Sequence, residues 1–170
     1  GTPISNYNDI PLGSRLIISY PFASTGNPHE EWNDIVQHCI EWDIEIFVDA
    51  CLAGVSLGKL DLEHSCITHV AFSFSKAFNT GHIRCGVVYT NQPYSSPASV
   101  TNKHLYLNHL SMLLHLELMN NFTSDWVFQK YRMQQIKICK EHNLTQSDCV
   151  LFGLKDNQRN CISRLLESLQ

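Results

Sequence analysis

The strongest constraint on the fold is a set of short, continuous apolar runs, each too brief for a helix and each closed by turn or polar chemistry. Residues 15–20, Arg-Leu-Ile-Ile-Ser-Tyr, are one such run, ended by Pro21. Residues 44–48, 67–72 and 85–90 repeat the pattern, the first two closing at Asp49 and Ser73. Strands apolar at consecutive positions are buried on both faces, which is the habit of parallel sheets. Between the first two runs the period changes: Trp32, Ile35, Val36, Cys39 and Ile40 recur at helical spacing. Asn27 reads as a helix N-cap, with Pro28 at the first helical position and Glu30 three residues after the cap, so a helix is expected over 28–42. Strand, helix, strand predicts an α/β fold, a mostly parallel sheet with covering helices. Ligands of such sheets collect beyond the carboxyl ends of the strands. Asp49 and residues 73–76 both fall there.

The remainder has a different texture. Residues 91–102, Asn-Gln-Pro-Tyr-Ser-Ser-Pro-Ala-Ser-Val-Thr-Asn, read as a loop or junction. This divides the chain into an α/β part at 1–91, a linker at 92–103 and a helical segment at 104–170. Leu105, Leu107, Leu110, Leu113, Leu114, Leu116 and Leu118 predict helix packing against the sheet or a partner chain. A late strand is expected over 149–154, and a short strand or helix over 160–169.

Charge and composition remove several function classes. The net charge is −4 and there is no basic tract, which argues against a nucleic-acid partner. No apolar run approaches a membrane span. The start of the chain has no basic, then apolar, leader. Seven cysteines, odd in number and never in a CxxC pair, predict a reduced, cytoplasmic protein. The nine histidines contain no HExxH or finger spacing, so no metal site is expected.

The chemistry concentrates in Ser73-Phe74-Ser75-Lys76-Ala77-Phe78, followed by Arg84-Cys85-Gly86. A lysine placed directly after a buried strand loses solvation, which disfavours its charged form and makes the amine a nucleophile. A neutral amine adds to an aldehyde to give a Schiff base. The neighbouring hydroxyls and Arg84 supply donors suited to a phosphate. Gly86 lets the backbone turn closely back into a strand.

Ser-x-Ser-Lys, an arginine eight positions beyond the lysine and a glycine two further on is similar to the cofactor segment of class I/II aminotransferases, which are fold-type I pyridoxal 5′-phosphate (PLP) enzymes. The resemblance implies that Lys76 holds PLP as a Schiff base and that Ser73, Ser75 and Arg84 bind the cofactor phosphate. It also implies that Asp49, at a strand end ahead of the lysine, pairs with the pyridine nitrogen and keeps it protonated. Pro21-Phe22-Ala23-Ser24-Thr25-Gly26 resembles the Asn-Pro-Thr-Gly turn of these enzymes, with Ala23 and Ser24 standing where that motif has Asn and Pro. Leu52 stands where a tyrosine often follows the aspartate.

The likeness covers residues 15 to 90 and continues more loosely into the helical half, toward a partial small domain. The family's N-terminal glycine-rich loop and ring-stacking aromatic have no counterpart before Arg15, so the chain reads as a fragment or reduced member. Arg159, or equally Arg164, is the candidate for a substrate carboxylate.

The expected function is PLP-dependent amino-group transfer between an amino acid and a keto acid, with Lys76 moving the proton and a homodimer forming the site. Two alternatives stand beside it. Val48-Asp49-Ala50-Cys51-Leu52-Ala53-Gly54 looks like the Asp-Ala-Cys-Leu-Gly-Gly stretch of sphingosine-phosphate lyases and related decarboxylases. The chain also reads as a non-catalytic remnant that dimerises or binds a partner.

Overall fold

The computed structural model describes residues 4–57, 60–93, 95–104, 106 and 108–167. Four strands form the main sheet: β1 (Arg15–Ser19), β2 (Glu45–Asp49), β3 (Ile67–Ser73) and β4 (Gly86–Thr90). Their spatial order is β1-β2-β3-β4. β1 and β3 flank β2 in parallel, with Ser19 and Ala71 opposite Asp49. β4 turns back antiparallel to β3, so the sheet is mixed but mostly parallel. The carboxyl ends of β1, β2 and β3 therefore lie along one edge, as the sequence predicted.

Helix α1 (Trp32–Glu41) returns the chain between β1 and β2. Its Trp32, Ile35, Val36 and Cys39 are buried against Ile46, Val48 and Ala50, and the Tyr20 ring stacks on Trp32 at 4.1 Å. The helix starts four residues later than expected from Asn27-Pro28. The cause is tertiary: the Asn27 side chain accepts the backbone N–H of Asp148 at 2.8 Å and so caps nothing locally. The other face of the sheet carries Arg15, Ile17, Phe47, His69 and Val88. It is open among the described residues: Ile17 is 75% exposed, and Phe47 is partly shielded by the His69 ring at 4.0 Å and by Arg15. Two-sided cover was expected of these runs; α1 supplies it on one side.

The second half is less helical than its pattern predicts. The expected loop at 92–103 contains α2 (Pro97–Lys103), started by a reciprocal capping box between Ser96 and Ser99 with Pro97 in the first turn. Helices α3 (His109–Asn121) and α4 (Trp126–Glu141) follow. A three-stranded antiparallel sheet comes next: β5 (Thr145–Gln146), β6 (Phe152–Lys155) and β7 (Gln158–Cys161). A short α5 (Ser163–Glu167) ends the described chain. The strand expected over 149–154 begins only at Phe152, because residues 149–151 turn. On α3 the leucines do not enter a core within this chain. Ser111 and His115 are its buried residues, while Leu110, Leu113 and Leu116 are exposed. Leu105 and Leu107 lie outside the described residues.

Gln135 on α4 holds the segment that links the two halves. It is fully buried, and its amide nitrogen lies within 3.0 Å of the carbonyls of Ser147, Cys149 and Phe152. Its amide oxygen accepts from Arg132 Nη1 at 2.6 Å. The held segment reaches back to the start of the chain, where Ser147 Oγ donates to the Thr25 carbonyl at 2.6 Å. Gln135→Leu keeps the apolar volume but strips donors from buried carbonyls. Each such group costs about 1–3 kcal/mol, so a loss of about 3 kcal/mol in chemical denaturation is expected. A denaturation midpoint equal to wild type would refute this role for Gln135.

Candidate active site

Asp49 ends β2, an inner strand of the sheet, and is half-buried. Its Oδ1 accepts the backbone N–H of Cys51 at 3.0 Å, an Asx turn that fixes the carboxylate at the strand end. Ser73 ends β3, and its hydroxyl accepts the Ser75 N–H at 3.3 Å. A single turn, closed by the Phe78 N–H to the Phe74 carbonyl at 3.0 Å, carries Lys76.

The two strand-end loops meet. Gly54 lies so close to the lysine turn that an added Cβ would sit 3.0 Å from Ala77 Cβ. Lys76 Nζ donates to Cys51 Sγ at 2.7 Å. Cys51 thus touches Asp49 through its main chain and Lys76 through its side chain. Its thiol is held above the ordinary cysteine range, chiefly by burial; the Lys76 contact pulls the other way and Asp49 adds to the rise. The sequence predicted a desolvated amine, but Lys76 is exposed. The turn that carries it stands at the mouth between the loops rather than beneath them.

The lysine turn is anchored from below. His115 Nδ1 faces the Ser111 carbonyl at 2.6 Å, an atom that can only accept, so Nδ1 carries the proton. The Thr80 hydroxyl then donates to Nε2 at 2.9 Å, and the same imidazole lies 5.3 Å from the Phe74 ring. Gly86 starts β4 where a Cβ would lie 2.6 Å from the Phe72 carbonyl oxygen, so the close return expected of this glycine is real. Arg84 is exposed on the loop leading into β4.

A cavity of about 730 Å³ lies behind this turn, lined by Ala50, Phe72, Ser73, Phe74, Phe78 and Phe122 among others. Asp49 and Lys76 do not line it; they converge on Cys51 instead. The turn after β1 completes the edge. Gly26 has φ +75°, and a Cβ there would meet Cys149 Cβ at 2.5 Å. Arg159 Nη1 donates to the Ala23 carbonyl at 2.6 Å, and its guanidinium lies 5.4 Å from the Phe152 ring centre. Arg159, itself exposed, therefore reaches the same edge, whereas Arg164 lies on α5. Among the described residues no cluster of His, Cys, Asp and Glu could hold a metal ion, and no helix is long and apolar enough to cross a membrane.

Sequence reasoning assigned no role to Cys51, His115 or Gln135. Only Cys51 left a local signal, an Asp-x-Cys spacing that lets a main-chain N–H cap the aspartate. Its thiol partner lies 25 residues away.

The residues present fit a PLP site in kind: an amine and a carboxylate converge on one residue at the strand ends, with hydroxyls and a guanidinium on the adjoining turn. Residues 6–136 match the family model described as aminotransferase class I and II. No curated protein matches the chain. Among solved structures, a putative PLP-dependent beta-cystathionase from Corynebacterium diphtheriae superposes with a TM-score of 0.57 at 14% identity, over 82% of this chain and 43% of that one. An aspartate aminotransferase variant from Thermus thermophilus, complexed with tryptophan, gives a TM-score of 0.44 at 15% identity, over 83% of this chain and 41% of that one. The chain thus spans less than half the length of these structures.

Proposed function

Since this chain belongs to the aminotransferase class I and II family, whose cofactor is pyridoxal 5′-phosphate, we propose that Lys76 is its cofactor lysine and Asp49 the partner of the cofactor's ring nitrogen. The observation that carries this reading is the convergence of Lys76 Nζ and the Asp49 carboxylate on Cys51. Ser73, Ser75 and Arg84, on the turn and loop around the lysine, would hold the phosphate. Bound there, the cofactor supplies an aldehyde for amines and an electron-withdrawing ring. Asp49 would keep a proton on the ring nitrogen, and the Lys76 amine would carry a proton to and from the substrate carbon. Arg159, at the adjoining turn, would orient a substrate carboxylate. Within this scheme the reaction is amino-group transfer between an amino acid and a keto acid, with decarboxylation or carbon–carbon bond cleavage as the alternative.

The test is an absorbance titration of the protein with PLP, borohydride reduction and mapping of the modified residue, followed by incubation with amino acid and keto acid pairs. Label at Lys76 with exchange of the amino group supports the scheme. Label elsewhere removes the lysine assignment, and cleavage products without exchange would replace transfer by lyase chemistry.

The exposed leucines of α3 also belong to this reading. Leu110, Leu113 and Leu116 are 70%, 65% and 55% exposed on one short helix, and Met112 and Met119 stand beside them. Apolar surface so concentrated is characteristic of an interface. A second copy of this chain is the proposed occupant, giving a homodimer. Leu113→Glu is expected to weaken self-association by about tenfold or more in sedimentation equilibrium. A wild-type protein that stays monomeric at high concentration would rule the dimer out.

A further inference from the structure

Lys76 poses a problem that its surroundings must solve. An amine attacks an aldehyde only when neutral, and water stabilises the ammonium form. Lys76 is exposed, so the fold around it does not exclude water. The identity of the group in contact with Nζ therefore matters more. That group is the Cys51 thiol, at 2.7 Å.

A carboxylate in the same place would bind the ammonium and hold it charged. A neutral thiol holds the nitrogen in position without that electrostatic lock. Burial and the neighbouring Asp49 both keep Cys51 in the S–H form, against the pull of Lys76. The other thiol close enough to sense the Lys76 charge is Cys149, also driven upward, to about 11, by burial. Asp49 and Lys76 are thus the charged groups that bear on Cys51. The main chain of Cys51 is itself fixed by its N–H to Asp49 Oδ1 at 3.0 Å. The sulfur accordingly sits at a set place relative to the carboxylate, and the amine it touches is set with it.

We propose that Cys51 is the positioning residue for Lys76, holding Nζ beside the end of β2 through an uncharged contact that leaves the amine free to react. The inference rests on Lys76 being the cofactor lysine. It adds a residue that acts through the lysine rather than on the substrate.

The experiment compares wild type with Cys51→Ala, Cys51→Ser and Cys51→Asp. The first measurement is the rate of borohydride-trapped PLP attachment at neutral pH. The second, without cofactor, is the pH midpoint for acetylation of Lys76 by acetic anhydride, read by peptide mass. Cys51→Ala is expected to attach PLP about tenfold more slowly, since an unheld amine must find its geometry at each encounter. Cys51→Ser, which keeps a hydrogen-bonding group, restores most of that rate. Cys51→Asp moves the acetylation midpoint upward by about one unit, because a carboxylate favours the ammonium. A purely structural role would leave that midpoint in place. A wild-type attachment rate in the alanine variant, or an unmoved midpoint in the aspartate variant, overturns the proposal. If the alanine variant does not fold, Cys51→Val, which fills the thiol's place without a hydrogen-bonding group, takes over the first measurement: a tenfold loss supports the proposal, and a wild-type rate overturns it. Lys76→Ala is the control. Label surviving in it refutes the cofactor-lysine reading itself, whereas label lost there but attached at the wild-type rate in Cys51→Ala refutes only the role of Cys51.

Discussion

Replacing Lys76 by alanine is expected to abolish borohydride-stable attachment of PLP to the chain. The expectation is of complete loss because the reaction needs a primary amine beside the end of β2, and Lys76 is the lysine that the described residues place there, against Cys51. Two other lysines are already engaged. Lys130 lies over the rings of Trp126 and Tyr131 at 5.0 and 4.9 Å, and Lys137 pairs with Glu141. Lys76→Arg should fail equally, since a guanidinium stays protonated and does not form the bond. Stability is not at stake: the side chain is exposed, and substitutions at such positions usually shift folding by less than about 0.5 kcal/mol. Reduction, digestion and mass mapping read the result directly. Full labelling of the alanine variant would mean that the amine lies elsewhere.

The second large effect is expected at Asp49. Asp49→Asn should weaken PLP binding by about a hundredfold, measured as the dissociation constant in an absorbance titration. A charge pair that is partly desolvated costs about 2–5 kcal/mol when one charge is removed, and the half-burial of Asp49 puts it toward the low end of that span. Asparagine makes this a clean comparison. It keeps an Oδ1 that can accept the Cys51 N–H, so the loop geometry survives while the charge goes. Asp49→Asn binding as tightly as wild type would dismiss the ring-nitrogen partnership. Loss of binding together with loss of fold would show up as a lowered denaturation midpoint.

Most of the main sheet was legible in the sequence because its signals are local. Apolar runs with turn residues at their ends mark β1 to β4 to within about two residues, a common boundary tolerance. The strand-end positions of Asp49 and Lys76 follow from those runs and from the parallel pairing they imply. What could not be read depends on partners distant in sequence. Asn27 is a sound helix cap by composition, yet its side chain serves Asp148, 121 residues later. The leucines of α3 have the density of a core helix, but period and composition do not say whether the buried face lies within the chain or against another. Residues 145–161 looked helical or isolated because strands of two to four residues carry too few alternations to register. The placement of Lys76 in the open was also unforeseen, since burial of the strand before it says nothing about the turn after it.

The seat that Ser147, Asp148 and Cys149 make for the turn at Gly26 has a consequence for biogenesis. That turn accepts hydrogen bonds from residues more than 120 positions onward and packs against them without room for a Cβ. While the chain is still emerging from the ribosome, β1 can pair with β2, but the connection between them lacks its support. Completion must wait until residue 149 has been synthesised. Contacts of such long sequence separation are closed late and slowly. The connection between β1 and α1 is therefore among the last parts of this fold to reach its final shape, although it is made more than 120 residues before its support.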